Sequence, residues 1–188
     1  PSIGSIYNGG IVFYLDSLGG GLVSASSDYS LGTNWGCIGT YVGANGSFIG
    51  TGNQNTTNID FGCLSSGIAA DICINLNIGG YSDWFLPSQY EINEMYFQIG
   101  QGSTLGNIGG FNNSKYWSST ETGNNTARVH NFGNGIGADF NKNLLFNVRP
   151  IRKFIQISSD TTNCVYVSNT GWNYITIADS LGCNANDS

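Results

Sequence analysis

The sequence has little charge and very few basic residues. Only 10% of the 188 residues are charged, and six Lys and Arg stand against twelve Asp and Glu, which gives a formal net charge of −6. Nucleic acids and anionic membrane surfaces attract basic patches, so we expect neither as a partner. No apolar run approaches the length of a membrane-spanning helix, and we therefore expect no membrane insertion.

Histidine and paired metal-binding cysteines are also scarce. The chain has one His, His130, and none of its five Cys forms a C-x-x-C pair. Zinc sites and most hydrolytic sites need such groups, so we expect a non-catalytic protein without a cofactor and without a metal site. Calcium is left open as an alternative, because Asp60, Glu121 and Asp139 offer oxygen ligands, although no EF-hand spacing is present.

Glycine and aromatic residues, by contrast, are plentiful. The chain has 28 Gly, and its composition is 13% aromatic and 40% hydrophobic. So many apolar residues can bury a core, and so many glycines predict numerous turns. Composition therefore indicates a folded domain with long loops rather than a disordered chain.

The cysteines and the low Lys content predict an extracellular or cell-surface, secreted protein with disulfides. Cys164 and Cys183 bracket a predicted C-terminal hairpin, and we expect them to be bonded. Of the other three, we favour Cys37–Cys63, because both lie in loop-like segments while Cys73 falls on the apolar face of a predicted helix. The alternative is that these are buried free thiols.

Periodicity predicts an α+β chain. The first helix is expected to begin at Ser65 or Ser66, and the second begins at the capping box of Ser88 and Glu91 and ends at Gly100. The predicted strands are a hairpin at 11–25, three further runs at 116–121, 126–132 and 144–154, and a C-terminal β-hairpin tail at 155–188. Residues 30–64 are predicted to be one long structured loop that buries Trp35, Tyr41, Phe48, Ile49 and Ile59.

Seven motifs occur in an order that resembles the Lcl C-terminal domain family of bacterial and phage proteins, over roughly residues 5–154. They are GGIVFYLD, WGCIGT, IGTGNQNT, IAADIC, GYSDWFLPSQYEINEMY, YWSSTE and VRPIRKF. The resemblance implies a C-type-lectin-like fold with two helices, a small twisted antiparallel sheet and long structured loops. It also implies that DWFLPS is a scaffold motif, whose Trp and Leu pack under the second helix near the YWSS strand.

The same fold occurs in formylglycine-generating enzymes, which have a reactive Cys pair in the last part of the domain. This chain has no Cys between Cys73 and Cys164, so we do not expect that chemistry. The three cations Arg149, Arg152 and Lys153 lie close together in the sequence. We interpret them as ion-pair partners of the excess acids rather than as an anion site.

Polar and aromatic residues concentrate between residues 112 and 147. Metal-independent sugar binding uses an aromatic platform together with planar polar side chains, and both types are present here. The candidate ligand-binding residues are Asn112, Asn113, Tyr116, Glu121, Asn124, Asn125, Arg128, Asn131 and Asp139. The alternative is that Asn and Gly only serve turns in this region.

We therefore expect residues 1–154 to form a recognition domain of a bacterial surface or secreted adhesin or of a phage fibre. Its expected ligand is a glycan or a surface protein, bound through the loops, and its expected assembly is a homo-oligomer, either a trimer or a filament. The alternative function is structural. The chain would then be a subunit or cap of an extracellular filament, with the tail at 155–188 mediating assembly.

Overall fold

A computed structural model of the chain describes residues 1–155, and residues 156–188 lie outside the described part. The predicted C-terminal hairpin and the predicted Cys164–Cys183 disulfide fall in those outside residues. The described elements are β1 (Ile6–Tyr7), β2 (Gly10–Leu15), β3 (Gly21–Ser24), β4 (Ser30–Thr33), α1 (Gly52–Gly62), α2 (Ala69–Ile74), α3 (Gln89–Ile99), β5 (Lys115–Glu121), β6 (Thr126–Asn131), β7 (Ile136–Asn141), β8 (Phe146–Val148) and β9 (Ile151–Phe154). The fold class is α+β, as predicted.

The strands form two sheets. The first is antiparallel, with the order β1-β2-β3-β9, and the second has the order β4-β8-β5-β6-β7. In the second sheet β5 and β8 pair in parallel at a single position, Tyr116 with Asn147, whereas the other neighbours are antiparallel. The sheets are therefore built from strands distant in sequence, with all three helices inserted between β4 and β5.

The most local predictions are confirmed. The hairpin predicted at 11–25 is the antiparallel pair of β2 and β3. The α3 helix begins with the predicted capping box, in which Ser88 Oγ accepts a hydrogen bond from the Glu91 amide and the Glu91 carboxylate accepts one from the Ser88 amide. The helix ends at Gly100, as its sequence predicts.

The prediction of one continuous loop at 30–64 is wrong, because α1 lies within it. This helix has the sequence GNQNTTNIDFG, whose Gly, Asn and Thr residues have low helix propensity. Its stability comes instead from buried contacts with distant residues. Asn55 Nδ2 donates to the Gly46 carbonyl at 2.6 Å, and Thr56 Oγ1 accepts from the Leu86 amide at 3.0 Å.

The helix at α2 is shorter than predicted and does not begin at Ser65 or Ser66. Ile68 is its N-cap residue, and the Asp71 carboxylate accepts hydrogen bonds from the amides of Gly67 and Ile68. The carboxylate of Asp71, inside the first turn, therefore caps the amides at the start of the helix, where we expected a serine hydroxyl to do so. The described chain has three helices rather than the two that the resemblance implies.

Two strand predictions also need correction. β7 was not predicted, because its sequence IGADFN contains Gly, Asp and Asn, which are rare in strands, and none of its side chains is fully buried. The run at 144–154 is not one strand. It divides at Arg149 and Pro150, so that β8 lies in the second sheet and β9 in the first.

The DWFLP motif is a scaffold, as predicted, but its three apolar side chains enter three different clusters. Trp84 packs against Val12 and Val23 of the first sheet rather than under α3. Phe85 contacts the buried face of α3, and Leu86 joins the cluster around Trp117. Backbone hydrogen bonds between Phe85 and Ile151, at 2.8 and 2.9 Å, tie the motif to β9.

The loop before α1 is held by the predicted disulfide between Cys37 and Cys63, whose Cα atoms are 5.1 Å apart. Cys73 is a buried free thiol, as predicted, and burial raises its pKa. Trp35 and Ile59 are buried and Ile49 is half-buried, whereas the predicted burial of Tyr41 and Phe48 is wrong, since both rings are exposed.

Candidate functional site

A polar groove of about 360 Å³ opens at one end of the second sheet. It is lined by the residues just before and at the start of β5, by the last residue of β6, by one residue of β4, and by residues in and just before β8. The lining residues are Leu31, Asn113, Ser114, Lys115, Asn131, Leu145, Phe146 and Asn147. Four of the eight are amides or an ammonium, and three are apolar. This mixture suits a ligand with both hydroxyl-type and apolar surfaces.

Strand pairing determines which polar groups meet in the groove. Lys115 and Asn131 are directly opposite each other in the antiparallel pair of β5 and β6, so their side chains project from the same face. Asn113 lies two residues before Lys115, at the entrance to β5. Thus two of the predicted ligand-binding residues, Asn113 and Asn131, flank a lysine that was not among the predicted site residues.

The two amides are oriented by hydrogen bonds within the protein. Asn113 Oδ1 accepts from Gln101 Nε2 at 2.9 Å. Asn131 Oδ1 accepts from the backbone amide of Gly133 at 2.9 Å. Each carbonyl oxygen thus accepts a hydrogen bond, whereas neither NH₂ group has a partner among residues 1–155. The groove therefore offers hydrogen-bond donors from both amides.

Lys115 is held beside two aromatic rings. Its Nζ lies 5.3 Å from the centre of the Phe140 ring and 5.8 Å from that of Phe146, within the range of cation–π attraction. Within residues 1–155 no carboxylate lies within salt-bridge distance of this ammonium. The rings restrain the lysine without neutralising it.

Most other cations of the chain are neutralised by acids. The ion pairs are Arg128–Asp139, Lys142–Glu121, Arg149–Asp28 and Arg152–Asp83. The interpretation of Arg149 and Arg152 as ion-pair partners is confirmed. For Lys153 the same interpretation is wrong, since it is exposed on β9 and no acid among residues 1–155 lies within salt-bridge distance of it.

Tyr116 and Glu121, two of the predicted ligand-binding residues, are buried. The Tyr116 hydroxyl donates to Asp28 Oδ2 at 2.9 Å, and burial raises the Tyr116 pKa to about 12. Glu121 contacts Lys142 at 2.5 Å and accepts hydrogen bonds from the amides of residues 42–44. Both side chains hold loops onto the sheet.

The remaining predicted site residues lie apart from the groove lining. Asn112 donates its side-chain amide to Asp28 at 3.0 Å. Asn124 and Asn125 are exposed in the turn between β5 and β6. Arg128 and Asp139 face each other across β6 and β7, with 3.1 Å between the guanidinium and the carboxylate.

The structure also locates the oxygen ligands considered for calcium. Among residues 1–155 no group of three or more His, Cys, Asp or Glu side chains is placed to hold a metal ion. Asp60 and Asp139 are exposed, and the Glu121 carboxylate is occupied by the Lys142 ammonium, which also donates to the Thr40 carbonyl. None of the helices among residues 1–155 has the length and hydrophobicity that a membrane-spanning helix requires.

The sequence signal for the groove was incomplete. The Asn-rich run before β5 indicated polar recognition, but Lys115, Leu31 and Leu145 join the site only through strand pairing, which the sequence does not specify. No protein-family model matches the chain, and comparison with curated proteins finds no relative. The family suggested by the motifs therefore remains a proposal.

Proposed function

We propose that this chain is a non-catalytic recognition module that binds glycans in the groove around Lys115, Asn113 and Asn131. The observation that supports this most is the placement of two oriented amide donors beside the apolar side chains of Leu31 and Leu145. Sugars present hydroxyl acceptors around apolar C–H faces, so this combination suits them. The lining contains no His, Cys, Asp or Glu that could act as a general base, which favours binding over catalysis.

The proposal extends to family and location. The motif order favours a C-type-lectin-like domain of the Lcl C-terminal type, displayed on a bacterial surface protein, a secreted adhesin or a phage fibre. The Cys37–Cys63 disulfide fits a protein that matures in an oxidising compartment. Trimeric or filamentous assembly follows from the same resemblance.

A glycan array tests the proposed function. The full chain should bind a subset of glycans, and the double variant Asn113→Ala/Asn131→Ala should lose that binding while its melting temperature stays within a few degrees. The matched control is Asn124→Ala/Asn125→Ala, which removes two exposed amides outside the groove and should bind like the unmodified chain. Equal binding by both double variants would show that the groove is not the site.

A structural role in a filament is the second candidate, and a separate surface favours it. Ile38 and Leu64 flank the disulfide and are exposed, and Phe61, nearby on α1, is 89% exposed beside Val42. Exposed apolar side chains grouped in this way often contact another chain. If this role is correct, the chain should assemble in analytical ultracentrifugation, and Phe61→Ser should shift it toward the monomer. A monomer at all concentrations would argue against it.

A further inference from the structure

We propose that the groove selects ligands that carry a carboxylate, and specifically acidic sugar residues. The carboxylate would bind between Lys115 Nζ and the NH₂ groups of Asn113 and Asn131. This inference rests on the proposed function and defines the ligand class of the same site.

The first argument is the direction of the hydrogen bonds. Gln101 and Gly133 already donate to the carbonyl oxygens of Asn113 and Asn131, whereas neither side-chain NH₂ group has a hydrogen-bond partner among residues 1–155, so both NH₂ groups are free to donate to a ligand. The ammonium of Lys115 is also a donor only. A carboxylate accepts several hydrogen bonds and carries a negative charge, so it pairs with an ammonium and amide NH₂ groups in one lining better than a neutral hydroxyl does.

The second argument is charge. The eight lining residues include one cation and no anion. Asn147, one of the lining residues, contacts Asp28 at 3.4 Å, but that carboxylate is buried and paired with Arg149. In a chain of net charge −6, whose other buried or half-buried cations are matched with acids, Lys115 is left unmatched among the described residues. An unneutralised cation on such a surface attracts a single anion, while the overall negative charge disfavours polyanions.

The third argument concerns the rest of the ligand. Leu31 and Leu145 are exposed and apolar, and they border the donors. A pyranose ring with a carboxylate presents its apolar C–H face a few ångströms from the charged group, which fits this arrangement. The favoured ligand is therefore a sugar acid within a glycan rather than a free small carboxylate.

Isothermal titration calorimetry with matched ligands tests the inference. The probes are oligosaccharides containing glucuronate, galacturonate or N-acetylneuraminate, each compared with its carboxyl-reduced neutral counterpart. The full chain should bind at least one acidic probe about tenfold more tightly than its neutral partner, as expected for one charge-assisted contact. Lys115→Gln should abolish this difference, whereas Lys153→Gln, which removes the other unpaired cation of the described residues, should preserve it.

The outcomes separate this inference from the proposed function. If neutral and acidic partners bind equally, and Asn113→Ala/Asn131→Ala abolishes both, the glycan site stands and the carboxylate selection is wrong. If no acidic sugar in the panel binds, the inference is wrong. If a tripeptide with a free C-terminal carboxylate binds through Lys115 and its C-terminal amide does not, while the sugar acids fail, the sugar assignment is overturned in favour of a peptide ligand.

Discussion

Asp83 and Arg152 form an ion pair with two short contacts, 2.6 Å between Nε and Oδ1 and 2.8 Å between Nη2 and Oδ2. The pair joins the DWFLP segment to β9. The Arg152 guanidinium also lies 3.9 Å from the centre of the Tyr81 ring and donates to the Asn8 carbonyl at 3.1 Å. Two motifs that are 69 residues apart thus form one structural unit.

Asp83→Asn should lower the free energy of unfolding by about 1–3 kcal/mol. Arg152 is nearly buried, so the variant leaves a guanidinium without its charged partner. Urea denaturation measures the change. The matched control is Asp139→Asn, which breaks the pair with Arg128, a guanidinium more exposed than that of Arg152 (26% against 8%), and should cost less than about 1 kcal/mol. Equal losses would contradict a special role for Asp83.

Trp84→Ala should lower the free energy of unfolding by about 3–5 kcal/mol, because a buried indole is removed from the cluster with Val12, Val23 and Phe154. Phe61→Ala is the control, since its ring is exposed and its loss should change stability by about 0.5 kcal/mol or less. Chemical denaturation and glycan binding should be measured on both. A stable Trp84→Ala protein without glycan binding would show that Trp84 belongs to the site and not to the scaffold.

Stability should fall as the pH is lowered from 7 to 5, through His130. This imidazole is buried against Tyr96 and Phe132, its Nε2 has no hydrogen-bond partner among the described residues, and burial lowers its pKa to about 4 from 6.5. At pH values between about 4 and 6.5, His130 binds a proton in the unfolded chain but not in the folded one. The free energy of unfolding should therefore decrease by about 2 kcal/mol over this range.

The control for this prediction is His130→Phe, which keeps a ring against Tyr96 but cannot titrate. Tyr116, directly opposite on β5, Tyr96 on α3 and Arg128 on the same strand are ionisable groups near His130, and all three are retained in the variant. As the pH falls from 7 to 5, the unmodified chain should lose stability relative to His130→Phe, so the free energy of unfolding of the variant minus that of the unmodified chain should increase. Parallel pH profiles would refute the assignment to His130.

Gly52→Ala should destabilise the protein, although alanine favours helices over glycine. A Cβ at this position would lie 2.2 Å from Glu91 Oε2 and 2.9 Å from the Leu86 carbonyl, so it would displace the carboxylate that caps α3. We expect a loss of about 1–3 kcal/mol in thermal or urea unfolding. The control is Asn53→Ala at the next position of α1, which is exposed, and this change should be neutral or slightly stabilising. If Gly52→Ala also stabilised the protein, a Cβ would fit at this position and the proposed steric clash would be wrong.

Local signals made part of this fold predictable. The Ser88–Glu91 capping box and the hairpin of β2 and β3 depend on residues a few positions apart, and both are present. The α1 helix was missed for the opposite reason. Its Asn55 and Thr56 side chains bond to Gly46 and Leu86, and those partners are supplied by the tertiary structure rather than by helix propensity.

The site shows the same division. Composition directed attention to Asn113 and Asn131, but the lysine between them became evident only when strand register placed it opposite Asn131. The pairing of β5 and β6 contains a register shift between Trp117 and Glu121, which alternation along either strand does not reveal. Glu121 is a candidate by residue type alone, as a polar side chain in the 112–147 region, but its carboxylate is buried, where it pairs with Lys142 and accepts hydrogen bonds from the amides of residues 42–44.

The most direct test of the proposed site is an NMR titration of the ¹⁵N-labelled full chain with the acidic oligosaccharide that binds it most tightly. The side-chain NH₂ resonances of Asn113 and Asn131 should shift together with the backbone amides of Ser114 and Lys115, and the shifts should saturate at the calorimetric affinity. Shifts confined to the turn at Asn124 and Asn125, with the groove resonances unchanged, would contradict the proposed site.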